Sequence, residues 1–414
     1  MKKKRRVVIT GLGVIAPNGV GKENFWSALE KGTSGVRGIT RFDPSPFPTR
    51  FAGEVDFDPT QYISPKRLKR MDRTSHLAVS AAKMAVEDAG LDIKSEDPER
   101  IGVMIGTAMA GHGLILEQHD RFLQKGPMKI GAFTAIASFP DAPSSQISIE
   151  LGINGPSFSI ATACSSASDA MGYAFNAIRN KDLDMIIMGG ADSPIFAPIH
   201  GAFCVLRALS KRNDEPEKAS RPFDKTRDGF ILGEGAGILI LEDLEHARKR
   251  NAHIYGEILG FGMTCDAYHM TKPEPSGKQA IRALRSALED AGIKIKDVRY
   301  VNAHGTSTFL NDRNETFVLK EIFGEHAHDL AVSSIKSMIG HLIGAAGSVE
   351  LIGGLMALEN GIIPPTINYE VPDPECDLDY VPNEARRQEV DIMLKNSFGF
   401  GGKNSALVVR KYKG

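Results

Sequence analysis

The chain repeats itself, and the repeat constrains its fold more than any single motif. Residues 81–91 read Ala-Ala-Lys-Met-Ala-Val-Glu87-Asp-Ala-Gly90-Leu, and residues 283–293 read Ala-Leu-Arg-Ser-Ala-Leu-Glu289-Asp-Ala-Gly292-Ile. Each is an amphipathic helix with a glycine stop, since glycine takes the left-handed conformation at a helix end without steric cost. A short linker and a buried-type strand follow each: Arg100-Ile-Gly-Val-Met-Ile-Gly-Thr107 and Arg299-Tyr-Val-Asn-Ala-His304-Gly-Thr306. Glu87 and Glu289 stand about half the chain apart, as two equivalent halves require.

A second pair follows in the same order. An apolar run with Phe158 and Ile160 ends at Cys164 and enters a small-residue helical pattern over 167–180. Leu330-Ala-Val-Ser333 leads through Lys336 and His341 into a helical pattern from Ala345 to Leu358. Strands alternating with helices predict parallel sheets covered on both faces. Two such halves predict an α/β fold of five layers, α/β/α/β/α. The polar stretch 212–222 reads as a surface loop, and a helix over 242–250 closes the first half. The boundary falls near residue 252, giving an N-terminal half, 1–252, with Cys164 and a C-terminal half, 253–414, with His304 and His341. Loops at the C-terminal ends of parallel strands carry chemistry. The repeat therefore brings Cys164, His304 and the Lys336–His341 loop to equivalent edges, where they can meet.

Bulk properties narrow the function classes. At 414 residues the chain exceeds one small core, with 42% hydrophobic and 24% charged residues, ordinary for a soluble protein. A net charge of −1 gives no global attraction to nucleic acid or membrane. The four cysteines, Cys164, Cys204, Cys265 and Cys376, form no CxxC and no metal spacing, which points to a reducing compartment. His326 and His328 lack further ligands, so no metal site is expected. After Met1-Lys-Lys-Lys-Arg-Arg6 the apolar stretch Val7–Thr10 is too short for a signal peptide and Gly11 stops it; it reads as an edge-charged first strand. No apolar run is long enough to span a membrane, and a cytoplasmic location is expected. Gly11-Leu-Gly13 resembles a dinucleotide fingerprint, but Pro17-Asn-Gly19 turns the chain where the fingerprint needs a helix.

The chemistry centres on Cys164 in Ser159-Ile-Ala-Thr-Ala-Cys164-Ser-Ser. A free cysteine is most often a small buried hydrophobe. A thiol at a strand-to-helix turn, however, sits at the positive end of a helix dipole, where its pKa is expected to fall and where it can hold an acyl thioester. His304 follows a strand and precedes Gly305; His341 follows Gly340. Two neutral imidazoles can donate to one carbonyl oxygen and stabilise an enolate. A Cys–His hydrolase would instead use one histidine as base, with a polar residue orienting it. Lys336 lies beside His341 among short polar residues, and Glu350 can pair with it from the following helix. Asn396-Ser-Phe398-Gly-Phe400-Gly-Gly402 suits a mobile loop, or a tight turn before a last strand over 405–409.

These segments resemble the β-ketoacyl-acyl-carrier-protein synthases, and among them the elongating type II branch. The resemblance rests on Thr162-Ala-Cys164, Asn302-Ala-His-Gly-Thr-Ser-Thr308, Ser333-Ser-Ile-Lys-Ser-Met-Ile-Gly-His341 and Asn396–Gly402. It extends through Val8–Gly13, Ser220–Gly229, Gly233–Gly237 and Asp266-Ala-Tyr-His-Met-Thr271, nearly end to end. It implies a thiolase-like fold, a homodimer and no bound cofactor, the phosphopantetheine arm being carried by the acyl carrier protein. It implies Cys164 as acyl acceptor, His304 and His341 in malonyl decarboxylation, Lys336 behind them, and Glu350 and Asp312 in support. Phe400 would gate the site, its N–H and that of Cys164 forming an oxyanion hole. Thr306, Thr308, Thr271 and Phe398 would contact substrate.

An acidic carrier needs a basic surface. Lys66, Lys69, Arg70 and Arg73 share a face if Ser64–Arg73 is one helix, and Arg207 is a further candidate. Ala108–Gly113, Ser165–Ser168 and Phe309–Arg313 depart from the common pattern, which is where acyl specificity is expected to differ. Asn311–Glu315 and Asp373–Tyr380 also resemble the ketosynthase subunit of type II polyketide synthases, which works as a heterodimer with a cysteine-less chain-length factor. A non-catalytic chain-length factor is a third reading, and Cys164 argues against it.

Overall fold

The computed structural model describes residues 4–414. Five strands of the first half are β1 (Val7–Ala16), β2 (Ile101–Gly106), β3 (Ser157–Ile160), β4 (Met185–Asp192) and β5 (Gly235–Asp243). Five of the second are β6 (Gly256–Cys265), β7 (Tyr300–Asn302), β8 (Ala331–Ser333), β9 (Ile392–Gly399) and β10 (Lys403–Lys411). The first set is ordered β3-β2-β4-β5-β1 and the second β8-β7-β9-β10-β6, the same arrangement twice. Val7–Ile9 of β1 pairs antiparallel with Gly256–Ile258 of β6 and joins the two. In each half four strands run in one direction and only one, β5 or β10, runs antiparallel to its neighbours. The expected all-parallel sheets are thus mixed, because β5 and β10 return directly beside β4 and β9.

The helices repeat as well. α1 (Arg73–Asp88) precedes β2 and α3 (Lys278–Ala291) precedes β7. α2 (Ser166–Arg179) follows β3, and α5 (Ala346–Asn360) follows β8. α4 (Phe309–Phe323) follows β7. α1 begins where the Asp72 side chain accepts the Ser75 N–H at 2.9 Å, and it ends before Gly90 at φ 57°. α1 packs on the outer face of the first sheet and α3 on that of the second, while α2 and α5 lie between the sheets. α5 is buried on every side except at its last residues, as its all-round apolar sequence dictates. The result is the five-layered α/β/α/β/α body.

Gly11 does not stop the first strand. β1 runs to Ala16, fully buried between β5 and β6, so it is central rather than an edge. A Cβ on Gly11 would lie 2.3 Å from the Ala85 carbonyl oxygen and one on Gly13 would lie 1.9 Å from that of Ala81. Gly260 and Gly262 of β6 stand in the same relation to Ala287, at 2.3 Å, and Ala283, at 2.0 Å. The Gly-x-Gly pairs let helix backbones approach the sheet; they are packing devices, not a nucleotide loop. The helix expected over 242–250 is limited to Leu244–Lys249, since Glu242 and Asp243 still belong to β5.

Candidate active site

The two turns that enter the middle layer share one backbone irregularity. Ala163 has φ 53° and Ile343 φ 48°, left-handed values that a β-branched or substituted residue adopts only under constraint. Each opens a short 3₁₀ turn, Ala163–Ser165 and Ile343–Ala345, that leads directly into α2 or α5. Cys164 therefore has Gly344 as its counterpart in the other half. The Cys164 turn is fastened locally and across halves. The Ser166 hydroxyl donates to the Ala163 carbonyl at 2.6 Å and accepts the Thr162 N–H at 2.9 Å. Ser165 donates to the carbonyls of Ser397 and Lys403, and Ser168 meets the Ser397 hydroxyl at 2.7 Å. Ser165, Ser166 and Ser168 are thus fasteners rather than part of the cavity wall.

Cys164 is buried and faces a cavity of about 620 Å³. Burial pushes its thiol up to about 11, against the N–H groups of Phe400 and of Cys164 itself and the charge of Lys336, which pull it down. The direction is opposite to the lowering expected from the helix dipole, because burial disfavours the thiolate. The same two N–H groups sit where an oxygen on the acylated sulfur would need donors. Gly399 makes this approach feasible, since a Cβ there would lie 3.2 Å from the Cys164 nitrogen.

His304 leaves the end of β7. Its N–H and that of Gly305 are each held at 2.8 Å by the Glu315 carboxylate, and the Thr306 N–H is held at 3.0 Å by Asp312. Asp312 also takes the Phe223 N–H at 2.8 Å, so its support is exerted through the loop. His341 is placed by its own N–H on the Ile231 carbonyl at 2.7 Å. The rings of His304 and His341 stand 5.5 Å apart, edge to face. Phe398 packs 5.9 Å from the His304 ring and Phe230 5.4 Å from that of His341. Burial, with Lys336 and Lys395 nearby, keeps both imidazoles well below their usual pKa, hence neutral. Lys336 Nζ lies 3.4 Å from His304 Nδ1, and the Ile343 N–H donates to His341 Nδ1 at 3.3 Å. These contacts assign the proton to Nε2 in both rings.

Lys336 donates to the His304 carbonyl at 2.6 Å and is ion-paired with Glu350. The sequence reading missed Lys395, which binds the other Glu350 oxygen at 2.7 Å, and it missed Glu315 as the anchor of the His304 loop. It also missed Asp192, which accepts the N–H groups of Ala108, Met109 and Gly344 and the Thr107 hydroxyl, and which burial pushes up to about 6. Asp192 ties the cavity wall at Ala108–Met109 to the turn after His341. No local pattern marks these three; each is defined by a partner distant in sequence.

Ala108, Met109, Phe203, Phe230, Ile343 and Phe400 make the apolar side of the cavity. Thr306, Thr308, Thr271 and Arg207 also line it, and the Thr306 and Thr308 hydroxyls are 2.9 Å apart. The basic segment does not form one helical face. Its helix spans only Pro65–Leu68, and Arg73 turns inward onto Glu234 at 2.8 Å. Lys66, Lys69 and Arg70 remain exposed, Arg70 lying over the Phe133 ring at 4.7 Å, and none of them lines the cavity.

A condensing-enzyme site on a doubled α/β body is what the fold and these side chains define. Residues 4–247 match the family described as beta-ketoacyl synthase, N-terminal domain, and residues 255–370 its C-terminal domain. The chain belongs to the beta-ketoacyl synthase family. It is 48% identical over 412 residues to 3-oxoacyl-[acyl-carrier-protein] synthase 2 of Synechocystis, covering 99% of both chains. Identity to the synthase of the same name is 48% in Coxiella burnetii, over 99% of both chains, and 44% in Staphylococcus aureus, over the whole of both. Among solved structures, a beta-ketoacyl synthase of Burkholderia phymatum superposes with a TM-score of 0.91 at 34% identity, covering 99% of this chain and 100% of that one. A type II polyketide ketosynthase in complex with its acyl-carrier protein gives 0.92 at 36% identity, with the same coverage.

Proposed function

We propose that the protein is a 3-oxoacyl-[acyl-carrier-protein] synthase, an acyltransferase that condenses an acyl thioester with malonyl carrier in fatty acid elongation. The observation that carries this reading is the meeting of Cys164, His304 and His341 in one cavity, in a chain 44–48% identical over its full length to synthases of that name. In the first half-reaction the Cys164 sulfur attacks the acyl thioester carbon, the C–S bond to the carrier breaks, and the departing carrier sulfur takes up the proton that the Cys164 thiol gives up. The N–H groups of Cys164 and Phe400 hold the oxyanion. In the second, malonyl carrier places its thioester oxygen against both Nε2–H groups. CO₂ departs, the enolate charge develops on that oxygen, and the enolate carbon attacks the carbonyl carbon of the acyl–Cys164 thioester, forming a C–C bond as the C–S bond breaks. The Cys164 sulfur leaves and recovers a proton.

Thr306, Thr308 and Thr271 offer hydroxyls to the phosphopantetheine arm, and Phe398 and Phe400 shape its end. Lys66, Lys69, Arg70 and Arg207 form the docking surface for the acidic carrier. The working form is a cytoplasmic homodimer: β3 is an edge strand with Phe158 exposed, and Phe122, Phe133 and Phe139 expose further apolar surface. No helix of the described residues is long and apolar enough to cross a membrane. Cys164→Ala tests the reading. It should abolish condensation and acyl transfer to the protein while malonyl decarboxylation persists, because the histidines remain. Acyl transfer onto the variant protein would sink the assignment.

A further inference from the structure

Lys395 is fully buried on β9, the strand that carries Phe398 and leads into the turn at Phe400. A lysine is almost never buried without a partner. Its partner here is already taken: Glu350, on α5, holds Lys336 through one oxygen and Lys395 through the other. One lysine is enough to neutralise one carboxylate. The second is an added cation in a region closed to water, where a charge acts more strongly than at the surface. Lys395 also reaches the Ser397 hydroxyl at 3.2 Å and the Asn396 carbonyl. The other ionisable groups facing the cluster are Glu315 on α4, Tyr300 on β7, His304 after β7, His341 after Lys336, and Cys164, which feels the charge of Lys336. Both Glu315 oxygens are bound to the N–H groups of His304 and Gly305.

We propose that Lys395 is a positioning residue for decarboxylation: as the second cation on Glu350 it maintains positive potential behind the His304–His341 pair, directed at the enolate oxygen those rings hold. The inference rests on the roles given to the two histidines above. It has a directional consequence. Lys395 acts on His304 and on His341, whereas the charge that reaches the Cys164 sulfur is that of Lys336. Removing Lys395 lowers the charge beside the histidines by one, whatever the state of Glu315, and should weigh on decarboxylation more than on acylation, since Lys336 is the lysine whose charge bears on the Cys164 sulfur. Burial and the neighbouring Lys336 also make Lys395 lose its proton at lower pH than an ordinary lysine, so its contribution fades as the solution turns alkaline.

The experiment measures malonyl decarboxylation and acyl transfer to Cys164 separately, from neutral to alkaline pH, in the wild-type enzyme, Lys395→Met and Lys395→Arg. Lys395→Met should lower kcat for decarboxylation roughly tenfold with unchanged KM. It should slow acyl transfer less and lose the alkaline limb of the decarboxylation profile. Lys395→Arg keeps its proton to higher pH and should move that limb upward. A Lys395→Met profile that superimposes on wild type, or parallel loss of both half-reactions, overturns the inference. Should Lys395→Met not fold, Lys395→Arg decides alone: an unmoved limb refutes the proposal. His304→Ala separates the two failures. Normal decarboxylation in that variant removes the histidine roles, whereas slow decarboxylation with a wild-type Lys395→Met profile removes only Lys395.

Discussion

Two histidines aimed at one oxygen act as a unit only if both remain neutral and both present the same nitrogen. The burial of His304 and His341 meets the first condition, and their Nδ1 partners Lys336 and Ile343 meet the second. Losing one such donor costs roughly 3–4 kcal/mol, or about 10² to 10³ in rate. His304→Ala and His341→Ala should each slow decarboxylation by at least that factor while Cys164 still takes an acyl group. Normal decarboxylation in either would make its histidine structural. The same neutrality links to stability. Folded, both pKa values lie below that of a free histidine; unfolded, both rings bind protons near pH 6.5. The unfolded state then binds more protons below about pH 6.5, so stability falls as pH falls, by up to about 1.4 kcal/mol per pH unit per ring. The double variant His304→Ala/His341→Ala should show a shallower acid loss in urea unfolding. That Cys164, His304, His341, Lys336 and Glu350 come together was legible in the sequence because the repeat places their turns at equivalent edges. Lys395 was not, since a lysine before Asn396 looks like any strand-end charge until Glu350 is brought beneath it by α5.

At the scale of elements, the repeat is deeper than the sequence match that revealed it. Glu87-Asp-Ala-Gly90 and Glu289-Asp-Ala-Gly292 mark only the helix ends, yet strand order, close helix contacts and the left-handed turn before each middle helix all recur. Those features leave little trace in sequence because they depend on backbone approach, which glycine permits and many local contexts share. Gly11 read as a stop for that reason: a glycine in a strand usually weakens it, whereas here it admits α1. The contact can be tested. Gly13→Ala puts a methyl group 1.9 Å from the Ala81 carbonyl oxygen, and Gly262→Ala one 2.0 Å from that of Ala283. Rigid backbone must move in both cases, and each should cost about 3 kcal/mol in stability. Gly38→Ala, at a glycine with nothing within 4 Å of an added Cβ, should be close to neutral in the same denaturation series. Equal effects at all three positions would remove close packing as the role of these glycines.

At the scale of the molecule, the proposed carrier and the proposed second copy of the chain each need a surface. The cluster Lys66, Lys69 and Arg70 is exposed although it is not one helix, and Arg207 borders the cavity. Reversing the charge at Lys69 and Arg70 should raise KM for carrier-bound substrates and weaken its salt dependence, since steering by surface charge is screened by salt. Small-molecule thioesters should be processed as before; unchanged kinetics with carrier substrates would take the patch out of the docking surface. The second surface is the edge of β3. Phe158 there is 36% exposed, and an uncovered strand edge beside apolar side chains favours pairing with a like edge. Phe158→Asp should shift the protein toward monomer in sedimentation, because like charges facing each other across an isologous contact repel. The assembly also decides between fatty acid elongation and the polyketide alternative. A chain purified alone that forms a homodimer and elongates a saturated acyl carrier with malonyl carrier fits the elongating synthase. A chain that is inactive alone and gains activity only beside a homologous subunit lacking the cysteine would instead be half of a heterodimer, and the β3 edge would then be the surface that second subunit covers.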